Sequence, residues 1–167
     1  MNKALILGMA AAAGIAAALP CHAAEGVVTY KSLAPDVAFD LAKAALAQCR
    51  KDGFQVAIVV VDRFGLQLAM VRDQYAGTMA MTVANRKALT SLNFTRNTLE
   101  LGKMVQAGEL SRDYLALPDV VVLGGGVVIQ SGGSTLGAVG VSGASGGDKD
   151  EACAKAGLAA VQDRLDF

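Results

Sequence analysis

Hydrophobic positions along the chain alternate between the spacing of a helix and that of a strand. A helical repeat precedes the stop at Asp52-Gly53 and comprises Ala34, Ala38, Leu41, Ala42, Ala45, Leu46 and Cys49. The aliphatic segment 55–61 predicts a buried strand, because β-branched residues dominate it. After the turn at 62–65, alternating apolar residues predict a returning strand that ends at Arg72. The first half therefore predicts a helix followed by a β-hairpin.

Two further helices are predicted in the middle of the chain. The segment 78–93 places Lys87 on the same helical side as alanines and Ser91. A shorter helix is predicted from Thr98 to about Met104. The apolar segment 120–123 is ambiguous between a strand and the approach to one.

The C-terminal part predicts a second hairpin and a last helix. Segments 127–130 and 135–141 flank Ser131-Gly132-Gly133-Ser134, which is typical of a tight turn between two strands. Asp148 and Glu151 have the spacing of a capping box, which predicts a helix from there to about Leu165. The whole order of elements predicts one α+β domain, with a central, mainly antiparallel sheet flanked by helices.

The N-terminal 23 residues predict a secretory signal peptide. Lys3 supplies a positive start, residues 4–19 are apolar or glycine, and Ala23 is the small residue before the expected cut. A retained anchor and a lipid anchor on Cys21 are the alternatives, but the apolar segment is short for a membrane span. We therefore predict a leader at 1–23 and a mature domain at 24–167, periplasmic or secreted, with no stable membrane insertion after cleavage.

Composition excludes several classes of protein. The 167 residues carry 15 basic and 15 acidic side chains, so no concentrated basic face indicates a nucleic-acid partner. A hydrophobic content of 53% with 18% charged residues excludes a disordered chain. Cleavage of the leader would remove His22, the only histidine of the sequence. A mature chain without imidazole cannot build a Ser-His-Asp triad or a histidine zinc site.

The segment 143–147 nevertheless matches the G-x-S-x-G pattern of a nucleophile elbow. Without histidine, a Ser-Lys dyad with Lys149 is the remaining hydrolase hypothesis, and a solvated lysine is the simpler interpretation. The loop 142–148 could also offer backbone N–H groups to a carboxylate at a helix start. Its own acidic residues favour helix capping instead.

A second group of residues suggests a ligand pocket. Four cations occur at the end of the returning strand and on or just after the next helix: Arg72, Arg86, Lys87 and Arg96. Methionines and hydroxyl-bearing residues lie near them in the sequence, namely Met70, Met79, Met81, Tyr75 and Thr90. Such a set would suit a flat apolar ligand that carries carboxylates. The alternative is a core filled by methionine and a solvated cationic face. If Lys87 holds a ligand, Lys87→Ala should weaken binding without lowering the melting temperature much.

Cys49 and Cys153 fall on two predicted helices. In an oxidising compartment they could form a disulfide if those helices pack side by side. The alternative is that both are small buried apolar residues.

Several segments together resemble the GlcG/HbpS family of haem-binding-like proteins, which is also related to the C-terminal part of PduO adenosyltransferases. They are Leu123-Gly-Gly-Gly126, Thr135-Leu-Gly-Ala-Val-Gly-Val-Ser-Gly143, Asp150-Glu-Ala-Cys-Ala154 and Ala156-Gly157-Leu158, with Asp62-Arg-Phe-Gly65, Arg72 and Asn85-Arg-Lys-Ala-Leu-Thr90 upstream. The resemblance covers about residues 33–165. Val128 departs from it, since many relatives have a proline there.

The resemblance implies a compact, profilin-like α/β domain that assembles into homo-oligomers. It also implies haem as cofactor and, for some members, haem degradation. Under this hypothesis Arg72 and Lys87 would bind the propionates, Thr90 would line the site, and Tyr75 or Met81 would approach the iron. The alternative functions are a non-catalytic module that binds a small organic acid and an oligomeric scaffold.

Overall fold

A four-stranded antiparallel sheet with strand order β2-β1-β4-β3 forms the centre of the molecule. The structure is a computed structural model that describes residues 26–166, and the part from Lys31 onward forms a single compact unit. The strands are β1 (Ala57–Asp62), β2 (Gln67–Arg72), β3 (Gly126–Ser131) and β4 (Ser134–Ser142), and the helices are α1 (Pro35–Lys51), α2 (Ala80–Phe94), α3 (Thr98–Ala107) and α4 (Gly147–Ala159). Short 3-10 turns occupy Arg112–Ala116 and Gln162–Arg164. The predicted α+β class is confirmed.

The core is built on both faces of the sheet. Ile58 and Val60 pack in the cluster that includes α1 and α4, whereas Val59 and Val61 pack against α2 on the opposite face. Because successive strand residues point to opposite faces, a strand covered on both sides needs an unbroken aliphatic run. This explains why β1 lacks the alternation that marks β2.

Helix α1 and both hairpins agree with the sequence predictions, whereas the boundaries elsewhere differ. Helix α3 continues to Ala107, three residues beyond the predicted end, and segment 120–123 forms no strand. In this segment the Val121 backbone N–H donates to Thr90 Oγ1, a side-chain contact in place of a strand ladder.

The predicted capping box is wrong. Gly146 is the N-cap of α4, and it makes no side-chain capping hydrogen bond. Asp148 therefore lies inside the first turn, and Glu151 accepts from the Leu99 backbone N–H instead of closing back on the helix start. The helix ends at Ala159, six residues before the predicted end.

A disulfide between Cys49 and Cys153 joins α1 to α4, with the two Cα atoms 5.5 Å apart. The helices approach closely beside it. A Cβ at Gly157 would lie 2.7 Å from the Leu41 carbonyl oxygen, so this contact requires a glycine. The bond closes a sequence separation of 104 residues, which restricts the unfolded chain strongly.

An exposed ion-pair group connects α1 to the C-terminal turn. Arg164 Nη1 donates to Asp40 Oδ2 at 2.6 Å, and Lys43 Nζ lies 2.7 Å from Asp40 Oδ1. The hydrogen bond from Lys43, followed by that from Arg164, lowers the pKa of Asp40.

Strand β2 lies at one edge of the sheet, and its face toward α2 is open. Helix α2 packs on β4, β1 and β3, whereas α1 covers β2 from the other side. Ala69 is consequently buried, while the Met70 side chain is 53% exposed. The apolar alternation predicted the strand correctly; Met70 is its exposed apolar residue, whereas Leu68 and Val71 are partly buried against the core.

The predicted leader, its cleavage site and Cys21 lie outside the described residues. Within 26–166, no helix has the length and apolar character needed to cross a membrane.

Candidate functional site

A cleft of about 600 Å³ opens beside the start of α4. It is bounded by α2, α3, the segment 122–124 and the loop 142–147. One wall is apolar and consists of Val83, Leu99, Val122 and Leu123. Its volume lies within the range of small-molecule sites in proteins, which makes it the first candidate for ligand binding.

A buried ion pair forms part of the cleft lining. Lys87 Nζ donates to Asp150 Oδ2 at 2.7 Å and to the Val141 carbonyl oxygen at 3.0 Å, and the two side chains are only 3% and 5% exposed. The other carboxylate oxygen, Asp150 Oδ1, accepts from the Ala144 backbone N–H at 3.0 Å. Burial raises the pKa of Asp150, and the hydrogen bond from Lys87 opposes that shift. The pair thus fixes the loop at 141–144 to helix α2.

The glycine triplet before β3 provides the space for this pair. Gly125 has a φ of +120°, and a Cβ there would lie 2.7 Å from the Asp150 Cβ and 2.9 Å from Lys87 Nζ. At Gly126 a Cβ would lie 2.3 Å from the Lys87 carbonyl oxygen. Side chains at either position would therefore displace the ion pair or helix α2.

Backbone N–H groups at the start of α4 belong to residues that line the same cleft. The N–H groups of residues 145–148 lie before or in the first turn of α4, where no helical acceptor exists. The structure records no acceptor for them among the described residues. The positive end of the α4 dipole adds to their attraction for an anion.

The residues that the sequence grouped into one pocket lie in two places. Lys87 lines the cleft, whereas Arg72 and Tyr75 lie at the end of β2 and in the connection to α2. Thr90 is buried; its hydroxyl donates to the Asp119 carbonyl oxygen and accepts from the Val121 N–H. Met81 is half-buried against the core between the sheet and α2.

This arrangement changes what these side chains can do. Thr90 uses its hydroxyl to hold segment 119–121, and the Lys87 charge already has a carboxylate partner. Arg72 donates to the Ala76 carbonyl oxygen at 2.9 Å but retains other guanidinium donors. Of the predicted cations, Arg72 therefore remains the one with donors available at the β2–α2 connection.

Sequence reasoning missed Asp150 as the partner of Lys87. A signal for it existed: the helical side that carries Lys87 also carries Ala80, Ala84 and Ala88, which are all buried. A lysine on such a side requires a buried acceptor, because an unpaired ammonium is too costly to desolvate. The sequence did not indicate which of several acidic residues would supply it.

The comparisons with known proteins agree with this fold and with the residues that carried the resemblance. Residues 33–159 match the model of the family described as haem degrading protein HbpS-like. The chain belongs to the HbpS-like family. The segments around 123–126 and 135–143 lie inside this range, so the predicted family is confirmed.

Individual members of the HbpS-like family and related structures extend the match. Protein GlcG of Escherichia coli K12 is 31% identical over 110 residues, which are 66% of this chain and 81% of GlcG. A crystal structure of a double mutant of Streptomyces reticuli HbpS superposes with a TM-score of 0.76 at 33% identity, and the match covers 86% of this chain and 97% of HbpS. A crystal structure of PduOC in complex with haem gives 0.71 at 27% identity, over 77% of this chain and 94% of PduOC.

Proposed function

We propose that this protein binds haem at the surface formed by the end of β2 and the β2–α2 connection. Membership of the HbpS-like family and the similarity to a haem complex of PduOC support this function. The observation that carries it is an exposed group of apolar and donor side chains beside a cation. Tyr75 is 77% exposed and Met79 64% exposed, and both follow Arg72 in the chain.

The donor set in this region is compatible with haem. The described residues contain no histidine, and the disulfide leaves neither Cys49 nor Cys153 as a thiolate. Tyrosine and methionine are both known axial ligands of haem iron. Tyr75 and Met79 are accessible for that role, whereas the half-buried Met81 is less so.

Within this proposal, Arg72 binds a propionate through its remaining guanidinium donors. Lys87, the second residue predicted to bind a propionate, does not take that role because its ammonium is buried and paired with Asp150. Bound haem would supply an iron centre capable of redox chemistry. The protein would contribute the cation, the axial donor and the apolar surface that shields the ring.

We also propose that the protein forms a homo-oligomer through the face of β2 that helix α2 leaves open. Met70 is 53% exposed on the edge strand β2, and Leu66, directly before this strand, is 67% exposed. Unpaired strand edges and apolar patches favour association. A second copy would cover the apolar surface that α2 leaves open. Light scattering of Met70→Glu against the unchanged protein tests this, and an identical mass for both would contradict it.

The proposed location is the periplasm or the exterior of the cell. The leader predicted at 1–23 and the disulfide both suit an oxidising compartment. N-terminal sequencing of the protein recovered from a periplasmic fraction should begin at Ala24. An intact Met1 on cytoplasmic protein would contradict export.

A haem titration followed at the Soret band tests the main proposal. The protein should carry His22→Ala, because a leader histidine could itself coordinate iron. We expect saturation at a defined haem-to-protein ratio. Arg72→Gln should weaken binding, and Tyr75→Phe should move the Soret maximum if the phenol is the axial ligand.

Matched changes elsewhere in the chain serve as controls. Tyr114→Phe removes the hydroxyl of another exposed tyrosine, which lies in the 3-10 turn at 112–116. It should leave both the affinity and the spectrum unchanged. A flat, non-saturating titration would refute haem binding, and an affinity unchanged by Arg72→Gln would refute the site. Equal spectra of Tyr75→Phe and Tyr114→Phe would exclude the Tyr75 phenol as the axial ligand and leave Met79.

A further inference from the structure

An ion pair between Arg50 and Asp73 connects helix α1 to the turn 73–76, which carries Tyr75. We propose that this pair positions the haem site: it holds the turn in the conformation that presents Tyr75 and orients Arg72. The inference rests on the proposed haem function, since it assigns a role within that site. The order of the free turn can be measured without haem.

Asp73 is a buried carboxylate directly after β2. Its side chain is only 3% exposed, and Arg50 donates to Asp73 Oδ1 through Nε at 2.8 Å and through Nη2. The other oxygen, Asp73 Oδ2, is buried and accepts no hydrogen bond from any group within 26–166. A buried carboxylate with an unsatisfied oxygen is costly to keep. The place of this side chain therefore depends on the compensation that Arg50 supplies.

Arg50 extends from a part of α1 that is firmly held. It is the last residue but one of the helix, and the preceding residue, Cys49, is joined to α4 by the disulfide. The Phe54 backbone N–H also donates to the Cys49 carbonyl oxygen at 2.8 Å. The guanidinium of Arg50 consequently binds Asp73 from a fixed position on the scaffold.

The backbone of Asp73 carries this restraint into the turn. Its N–H donates to the Val56 carbonyl oxygen at 2.9 Å, and its carbonyl oxygen accepts from the Ala76 N–H at 3.1 Å. Asp73 and Ala76 are buried, whereas Gln74 and Tyr75 between them are exposed. The turn is therefore held at both ends and presents the two residues between them to solvent.

The same turn supplies the acceptors that orient Arg72. Nη1 of this guanidinium donates to the Ala76 carbonyl oxygen at 2.9 Å and to the Gln74 carbonyl oxygen at 3.4 Å. A side chain that is already ordered loses less conformational entropy when a ligand binds. Loosening the turn should therefore weaken haem binding, although Arg50 makes no contact with haem in this proposal. Arg50 and Asp73 are positioning residues that act through Arg72 and Tyr75.

Hydrogen exchange of the backbone amides, measured by NMR without haem, tests the free turn. In Arg50→Met the Ala76 amide should exchange at least about tenfold faster than in the unchanged protein, because the buried Asp73 carboxylate has lost its compensation. Arg164→Met is the matched control, since it breaks an ion pair with Asp40 at the other end of α1. It should leave the exchange of Ala76 unchanged. Equal exchange in Arg50→Met and Arg164→Met would overturn the proposal.

Haem affinity, measured at the Soret band in the His22→Ala background, tests the effect on the site. The loss of order at one side chain should weaken binding about two- to tenfold in Arg50→Met. Because Arg50 acts through Arg72, the loss should be smaller when Arg72→Gln is already present. A merely structural role of Arg50 predicts additive effects of the two substitutions, and additivity would refute positioning.

Two further variants separate positioning from global stability. Arg50→Met/Asp73→Ala removes both charges, so its melting temperature should exceed that of Arg50→Met, but haem should still bind more weakly than to the unchanged protein. Ile129→Val lowers the stability from buried strand β3 at the opposite edge of the sheet, and it should leave haem affinity unchanged. Full affinity in the double variant, or an equal loss of affinity in Ile129→Val and Arg50→Met, would contradict the proposal.

The two readouts distinguish failure of this inference from failure of the haem function. If the protein with His22→Ala alone does not saturate with haem, the haem proposal is refuted, and the exchange of the Ala76 amide still decides whether the pair holds the turn. Saturation with haem together with unchanged exchange in Arg50→Met would refute only the positioning role.

Discussion

Removal of Lys87 should destabilise the protein strongly. In Lys87→Met the Asp150 carboxylate stays buried with one hydrogen bond, from the Ala144 N–H. Removing one partner from a buried ion pair costs about 3–5 kcal/mol, because the remaining charge is uncompensated. Against a total stability of roughly 5–15 kcal/mol this is a large fraction. The sequence-based expectation of an almost unchanged melting temperature for Lys87→Ala therefore no longer holds.

The assay is urea unfolding at neutral pH with the disulfide intact, followed by circular dichroism. The midpoint temperature in a parallel thermal scan should fall by roughly 6–20 °C. The double variant Lys87→Met/Asp150→Leu should recover most of the loss, since both charges disappear together. Lys51→Met, at an exposed position, serves as the control.

Two results would refute this reasoning. If Lys87→Met unfolds at the same urea concentration as Lys51→Met, the pair does not contribute as a buried ion pair. If the double variant is as unstable as Lys87→Met, the loss comes from packing and not from the uncompensated carboxylate.

Further predictions concern the disulfide, the glycine triplet and an exposed carboxylate. Replacing both Cys49 and Cys153 by alanine should lower the unfolding free energy by about 2–5 kcal/mol in urea titrations, and an unchanged midpoint would argue against a stabilising bond. Gly125→Ala should destabilise far more than Gly133→Ala, because both have positive φ but only at Gly125 would the Cβ lie 2.5 Å from a backbone oxygen. Equal melting temperatures of the two variants would contradict the steric argument. The lowered pKa of Asp40 means that its stabilising contribution is present above the ordinary aspartate pKa and is lost as the pH falls through the folded-state value. Asp40→Asn should remove this small part of the acid dependence, and a steeper acid loss in the variant would show the opposite sign.

Local patterns were sufficient to predict most of the secondary structure. The helical repeat of α1, the two hairpins and the unbroken aliphatic run of β1 arise from burial geometry that repeats every 3.6 or 2 residues. The capping box failed because α4 begins at Gly147, which places Asp148 inside the first turn, and because Glu151 accepts from the backbone N–H of Leu99, which is distant in the sequence. The spacing of residues along the chain does not show whether an acidic side chain will bind a nearby backbone N–H group or one that is distant in the sequence.

The family could be recognised from short glycine-rich segments, because their packing restricts the residues that fit. Gly125 and Gly126 lie against Lys87, and Gly157 lies against α1, where any Cβ would collide. The sequence by itself therefore determined the fold class, the elements and the family. It did not determine the site, since proximity across 63 residues, as between Lys87 and Asp150, depends on how the sheet and helices pack. Only the tertiary structure separated the exposed surface at Arg72 and Tyr75 from the cleft that contains the buried ion pair.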